Sequence, residues 1–214
     1  MSEPYKVGDG VEMRVKNGAV TLYSNGGMLW PDWFERASID RWKVKSIHVA
    51  KGTIKLPEDV QGIDTQKKVF TMFGGLSKVK SIDMSSFDTS CVTNMSCMFS
   101  SCHELTTLNL SSFDTAQVTC MSGMFASCES IKELDLSGFD MSNVTDMNSM
   151  FWRCRNLKEL DLSGFNTSRI LDMRSLFEGC CNLKTVIMAP AVNQDARTDK
   201  MFDDCRAEII QSSR

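Results

Sequence analysis

The feature that most constrains this chain is a repeat with a period of 26 residues. From Val79 it reads VKSIDMSSFDTSCVTNMSCMFSSC, and from Leu105 LTTLNLSSFDTAQVTCMSGMFASC. From Ile131 it reads IKELDLSGFDMSNVTDMNSMFWRC, and from Leu157 LKELDLSGFNTSRILDMRSLFEGC. Self-similarity at a fixed spacing of about 20–50 residues marks a solenoid or a related array. The apolar residues fall into columns: Val79, Leu105, Ile131, Leu157 and Leu183; Ile82, Leu108, Leu134, Leu160 and Val186; Phe87, Phe113, Phe139 and Phe165. Two more are Met98, Met124, Met150 and Leu176, and Phe99, Phe125, Phe151 and Phe177. One unit cannot bury these side chains alone, so its neighbours must cover them. Each buried Leu, Met or Phe is worth roughly 1.5–3 kcal/mol, which makes stacking the dominant favourable term.

Each unit carries two patterns. Leu157-x-x-Leu160-x-Leu162 closes with period-2 alternation and reads as a short strand, with Glu159, Asp161 and Ser163 on the opposite face. Met147, Met150, Phe151 and Cys154 sit at i, i+3, i+4 and i+7, which predicts a short amphipathic helix with Thr145 as its N-cap. Between them, Ser137-Gly138-Phe139-Asp140 has turn chemistry. The expected fold is therefore α/β, a leucine-rich-repeat-like solenoid with one short parallel strand and one short helix per repeat. Residues 1–64 form a β-rich N-terminal cap, and residues 65–214 form the solenoid. Its last repeat, from about Leu183, degenerates into a C-terminal cap, because Pro190 and the polar stretch 191–200 break the pattern.

The cap is read from turn signals. Val11–Val15 and Ala19–Tyr23 flank Asn17-Gly18 and predict a β-hairpin. Asn25-Gly26-Gly27 is expected to break the chain. Val44–Val49 and Thr53–Pro57 predict further strands. Trp30, Trp33, Phe34 and Trp42 cluster within 13 residues. They read either as a hydrophobic plug over the open end of the stack or as an aromatic ligand cradle.

The totals narrow the functional classes. The chain has 214 residues, 42% of them hydrophobic, and a net charge of −3. No large basic field attracts nucleic acid or anionic lipid. No run of about 18 apolar residues spans a membrane, and the N-terminus lacks the pattern of a secretory leader. Of nine cysteines, Cys102, Cys128, Cys154, Cys180 and Cys205 form a column on the apolar stripe. They are expected to be reduced and packed as small hydrophobes, since helices about 8–10 Å apart hold Cα atoms too far apart for a disulfide. Cys91, Cys97, Cys120 and Cys181 replace polar residues of sister units.

The motif LDLSGFDMSNVTDMNSMFWRC resembles the 26-residue repeat of BspA-like bacterial surface proteins, a repeat family also abundant in mycoplasma lipoproteins. The resemblance covers about residues 65–205, and the Trp-rich loop leading into Ile47-His48-Val49 is similar to the cap that precedes such arrays. It implies a leucine-rich-repeat solenoid at the cell surface or outside the cell, engaged in adhesion to host or neighbouring-cell proteins. The chain shows no leader or wall anchor, so a cytoplasmic location remains an alternative.

The working surface is expected on the exposed side of the strands: Ser81, Asp83, Thr107, Asn109, Glu133, Asp135, Glu159 and Asp161. Strands lie about 4.8 Å apart, so carboxylates in one column repel, by about 1 kcal/mol per contact in water. Ser hydroxyls, Lys132 and Lys158, a cation or a basic partner would compensate. Alternatively each Asp bonds the backbone or a Ser of the next unit and serves only the stack. Asp88, Asp114, Asp140 and Asn166, at the turns, are expected to hydrogen-bond the backbone two residues on. Enzyme signatures are missing: two histidines, no Gly-rich phosphate loop, no nucleophile elbow. Cys97, Cys102 and His103 are the nearest imitation of a metal or thiol site. No cofactor or metal is expected. The expectation is a monomeric, non-enzymatic module that recognises a protein partner through the strand face. The competing class is a structural spacer or an intracellular scaffold without a dedicated ligand.

Overall fold

The computed structural model describes residues 4–58, 61–62, 70–190 and 193–212. The boundary placed at 64/65 lies outside the described residues. The chain winds into a parallel β-solenoid of about seven coils. Its elements are β1 (Tyr5–Lys16), β2 (Ala19–Leu29), the one-turn helix α1 (Trp33–Arg36), a 3-10 turn at Arg41–Lys43, β3 (Ser46–Lys51), β4 (Ile54–Lys55), β5 (Gln61–Gly62) and β6 (Phe70–Thr71). They continue with β7 (Ser81–Asp83), β8 (Phe87–Asp88), β9 (Thr107–Asn109), β10 (Glu159–Leu162), β11 (Thr185–Met188) and β12 (Glu208–Gln211).

β1 and β2 form the expected hairpin, with Asn17 and Gly18 both at positive φ, the geometry that matches strand twist. Asn25-Gly26-Gly27 does not break the chain; it stays inside β2, where the pairing slips between Asp9 and Val11. Gly27 is needed there, because a Cβ would lie 1.5 Å from the Asp9 carbonyl oxygen. β2 then pairs in parallel with β3, β3 with β7, and β7 with β9, while β10, β11 and β12 form a second parallel ladder. β5 pairs antiparallel with β6.

The tryptophan cluster divides. Trp33 and Phe34 are fully buried, and the Trp33 indole N–H donates to the Met72 carbonyl at 3.0 Å. The buried Arg41 guanidinium donates to the Gly74 carbonyl at 2.9 Å and pairs with Glu35 at 3.0 Å. These bonds clamp the cap onto the first coil. Trp42, by contrast, is 60% exposed.

The α/β expectation of one helix per repeat is corrected. Across Met95–Cys102 the amides alternate. Met95, Cys97, Phe99 and Ser101 donate to Cys120, Ser122, Met124 and Ala126 of the next coil at 2.7–2.9 Å, whereas Met98, Ser100 and Cys102 donate three residues back. Cys97 and Ser101 take positive φ, as do Gly123 and Ser127, Ser149 and Arg153, and Ser175 and Gly179. A left-handed residue every fourth position cannot belong to an α-helix. The segment is a string of tight turns that bonds sideways, coil to coil. Thr145 caps no helix: its amide and hydroxyl both donate to the Thr119 carbonyl of the preceding coil.

The core columns align as expected. Phe73, Phe99, Phe125, Phe151, Phe177 and Phe202 stack in one row with centroids 5.2–5.9 Å apart, and Phe113 stacks on Phe139 at 6.0 Å. The cysteine column is free, but helix spacing is not the reason. Each buried thiol donates to the Phe carbonyl of the preceding coil: Cys102 to Phe73, Cys128 to Phe99, Cys154 to Phe125 and Cys180 to Phe151, at 3.1–3.2 Å. Burial pushes the Cys102 and Cys180 thiols up to about 12, and those of Cys128 and Cys154 well above their ordinary value.

Two outcomes follow from this packing. Phe125→Ala removes a ring stacked on both sides and costs about 3–5 kcal/mol, to be measured by denaturant or thermal unfolding; a loss under about 1 kcal/mol contradicts the stacked row. Iodoacetamide treatment of the native protein modifies the exposed Cys91 and Cys181 and spares Cys102, Cys128, Cys154 and Cys180, as peptide mapping would show.

Candidate functional site

In the coils from Val79, Ile131 and Leu157, three corners are closed in the same way. In the coil from Ile131, Asp135 accepts the amide of Ser137, Asp140 that of Ser142, and Asp146 that of Asn148, at 2.8–3.0 Å. The coil from Val79 repeats this with Asp83, Asp88 and Asn94, and the coil from Leu157 with Asp161, Asn166 and Asp172. Asx side chains that bond two residues on fix a turn at low cost. The role expected for Asp88, Asp114, Asp140 and Asn166 is present. The same role falls on the strand-face Asp column and on a third column at Asn94, Asp146 and Asp172. The sequence signal was there: the spacing Asp-x-Ser/Asn occurs three times within DLSGFDMSNVTDMNS.

All eight strand-face residues, Ser81, Asp83, Thr107, Asn109, Glu133, Asp135, Glu159 and Asp161, are exposed. They share one face. Ser81 pairs with Thr107 and Asp83 with Asn109, and the Asn109 amide donates to the Asp83 carboxylate at 3.1 Å. Glu159 and Asp161 pair with Thr185 and Ile187. The ladder is not continuous. Among the described residues, Glu133–Asp135 belongs to no strand and is not paired with β9, and the core residues Leu108 and Leu134 on either side are only half-buried. A shallow groove of about 660 Å³ opens over this gap, lined by Thr106, Thr107, Glu133, Asp135, Glu159, Asp161 and Thr185 with Leu108, Leu134, Leu160 and Ile187 as its floor.

Four carboxylates therefore border one groove. Asp135 is held below the usual carboxylate range by the amide and hydroxyl of Ser137, and Asp161 by the hydroxyl and amide of Ser163. Lys132 and Lys158 do not compensate them: among the described residues, none of the four carboxylates makes an ion pair. The two lysines precede the glutamates and stay exposed, and their backbone carries the ladder through Lys158 N to Lys132 O at 3.2 Å. The groove thus presents net negative charge around an apolar floor.

Cys97, Cys102 and His103 do not assemble a site. Cys102 is buried and bonded to Phe73, whereas His103 is exposed. No three His, Cys, Asp or Glu side chains gather to hold a metal among the described residues. No helix of the described residues is long and apolar enough to cross a membrane.

A family profile described as "Mycoplasma protein of unknown function, DUF285" matches residues 31–104, 67–189 and 104–211. The chain belongs to this family. The three matches overlap, and each runs over several of the 26-residue units, as expected of a repeat-containing family. No curated protein and no solved structure matches the chain.

The corner carboxylates give the fold a pH dependence. Asp83, Asp88, Asp135, Asp140, Asp161 and Asp172 are all held low by hydrogen bonds. A depressed carboxylate contributes stability that is complete above its unfolded value of about 3.9 and is lost as pH falls through the folded value. Thermal melts should therefore fall steeply below about pH 4. D135N/D140N/D161N should flatten that limb while leaving neutral-pH melting nearly unchanged, because Asn94, Asn109 and Asn166 already hold equivalent corners. An unaltered acid limb contradicts this assignment.

Proposed function

We propose that this DUF285 protein is a non-enzymatic recognition module that binds a protein partner through the strand face. The carrying observation is the groove over the ladder gap, with Glu133, Asp135, Glu159 and Asp161 exposed around it and, among the described residues, free of ion pairs. An array of like charges that the fold leaves uncompensated favours a partner of opposite sign. The partner's contacting segment would be basic, with an apolar residue for the floor formed by Leu134 and Leu160. Binding would be spread over several coils, with most of the affinity in a few anchors. Resemblance to BspA-like surface proteins supports an adhesin-type role at the cell surface, with a host or neighbouring-cell protein as the partner.

A second reading has an observation in its favour. Asp83, Asp135 and Asp161 each spend a carboxylate oxygen on a corner. On that reading the face is a by-product of turn chemistry, and the solenoid is a spacer or scaffold.

The two separate on one variant. E133Q/D135N/E159Q/D161N keeps every corner acceptor and removes four charges. Against immobilised purified basic matrix-protein fragments, the recognition reading expects binding to weaken by about tenfold or more at unchanged melting temperature. Equal binding by the variant and the parent removes the strand face from the proposal.

A further inference from the structure

A second, oppositely charged groove lies at the junction of cap and first coils. It is about 880 Å³ in volume and is lined by Trp42, Lys43, Lys45, Lys78 and Lys80, with Asn17-Gly18 and Glu104 at its rim. Trp42 is the most exposed large hydrophobic residue described. The Lys43 ammonium lies 4.8 Å from its ring centroid. Lys43 also pairs with Asp40, and Lys78 with Glu104, both at 2.6 Å, whereas Lys45 and Lys80 have no ion-pair partner among the described residues. Exposed pairs of this kind contribute little and exchange readily for a ligand's charge. In a chain of net charge −3, four ammonium groups around one exposed indole stand out as a concentrated exception.

The lining selects the ligand class. Part of the backbone here is already engaged: Lys45 N donates to Gly18 O at 2.8 Å, and Thr106 N to Lys80 O at 2.8 Å. What the groove offers a ligand beyond these bonds is side chains: one indole and four ammonium groups. The cations are all lysines, adaptable point charges that can meet several anionic groups at varied positions rather than one group in a fixed bidentate geometry. A lone exposed indole provides one flat apolar platform, not the succession of stacking rings that a single-stranded nucleic acid engages.

We propose that this groove binds an acidic oligosaccharide, a short chain of sugar rings bearing carboxylate or sulfate groups. One ring face lies on Trp42, and the anionic groups reach Lys45 and Lys80 first, then Lys43 and Lys78. Because an anion at Lys43 is drawn against the indole, charge and stacking act on the same ligand. Gly18 has positive φ, and a Cβ there would lie 2.7 Å from Lys43 O, so only glycine lets the hairpin turn sit this close to the groove. The site is separate from the strand face, so the two proposals fail independently.

The test uses the full chain and a heparin-derived oligosaccharide, followed by calorimetry and tryptophan emission. Saturable binding is expected, weakening as salt is raised. K45Q/K80Q should reduce affinity by about tenfold or more. Trp42→Ala should abolish the emission change and weaken binding severalfold. K6Q/K51Q, which removes the same charge elsewhere, should bind like the parent, as should the strand-face variant E133Q/D135N/E159Q/D161N. Equal losses in K6Q/K51Q and K45Q/K80Q would mean diffuse charge attraction and overturn the site. Equal binding of a neutral maltooligosaccharide overturns the role of the lysines. Equal, Trp42-dependent binding of polyglutamate or oligothymidylate overturns the sugar assignment.

Discussion

The structure depends on one repeated interaction: a backbone hydrogen bond from a residue to its equivalent neighbourhood one coil along. At the strand face this bond builds β7–β9 and β10–β12. On the opposite side it runs through Met95, Cys97, Phe99 and Ser101 and their equivalents, without any strand. Because both sides advance by the same backbone spacing, every coil presents the same side chain at the same place. The Phe row follows from that, with rings at 5.2–5.9 Å and planes inclined by 3–25°. So does the cysteine row, since a small weak donor is what fits beneath a Phe carbonyl of the preceding coil.

Polar groups are handled by the same repetition. Asx corners turn the coils, three of them in each of the coils from Val79, Ile131 and Leu157, and threonines staple one coil to the next. Thr89 donates to the Asp114 carbonyl and accepts the Asp114 amide, and Thr115 does the same with Asp140. No buried side-chain nitrogen or oxygen lacks a partner among the described residues. What the corners and staples leave over is the surface charge: lysines around Trp42 near the cap, carboxylates over the ladder gap. The continuous β2-β3-β7-β9 pairing joins cap and coils, and the two charge patterns lie at different places along it, which is why two ligand chemistries of opposite sign are proposed for one chain.

Much of this was legible in the sequence. The period, the apolar columns, the hairpin at Asn17-Gly18 and the Asp88 corner column all follow from residue type and spacing. The helix did not survive, for a definite reason. Met147, Met150, Phe151 and Cys154 satisfy helical spacing, but a string of tight turns with inward residues at the same intervals satisfies it too. The discriminating signal is the residue at each left-handed position. Gly123 and Gly179 occupy two such places, and the small or polar Ser101, Ser127, Ser149 and Ser175 occupy others. Periodicity reports which side chains face inward and is silent about where the amides bond. The groove around Trp42 was only half visible, because the Trp-rich loop reads as a plug. Trp33 and Phe34 do plug the stack, while Trp42, eight residues beyond Phe34, is turned out by the Arg41–Lys43 turn.

The central claim is that both sides of the solenoid rise by one backbone spacing per coil, roughly 4.8 Å. Spin labels carried on genetically encoded residues at positions 103 and 181, three coils apart on the Met-Phe-Cys side, test it directly through their dipolar distance. The sideways-bonded solenoid predicts a separation of about 14 Å between the backbones, plus the label arms. A separation of about 24–30 Å, the distance three side-by-side helices would require, would contradict it.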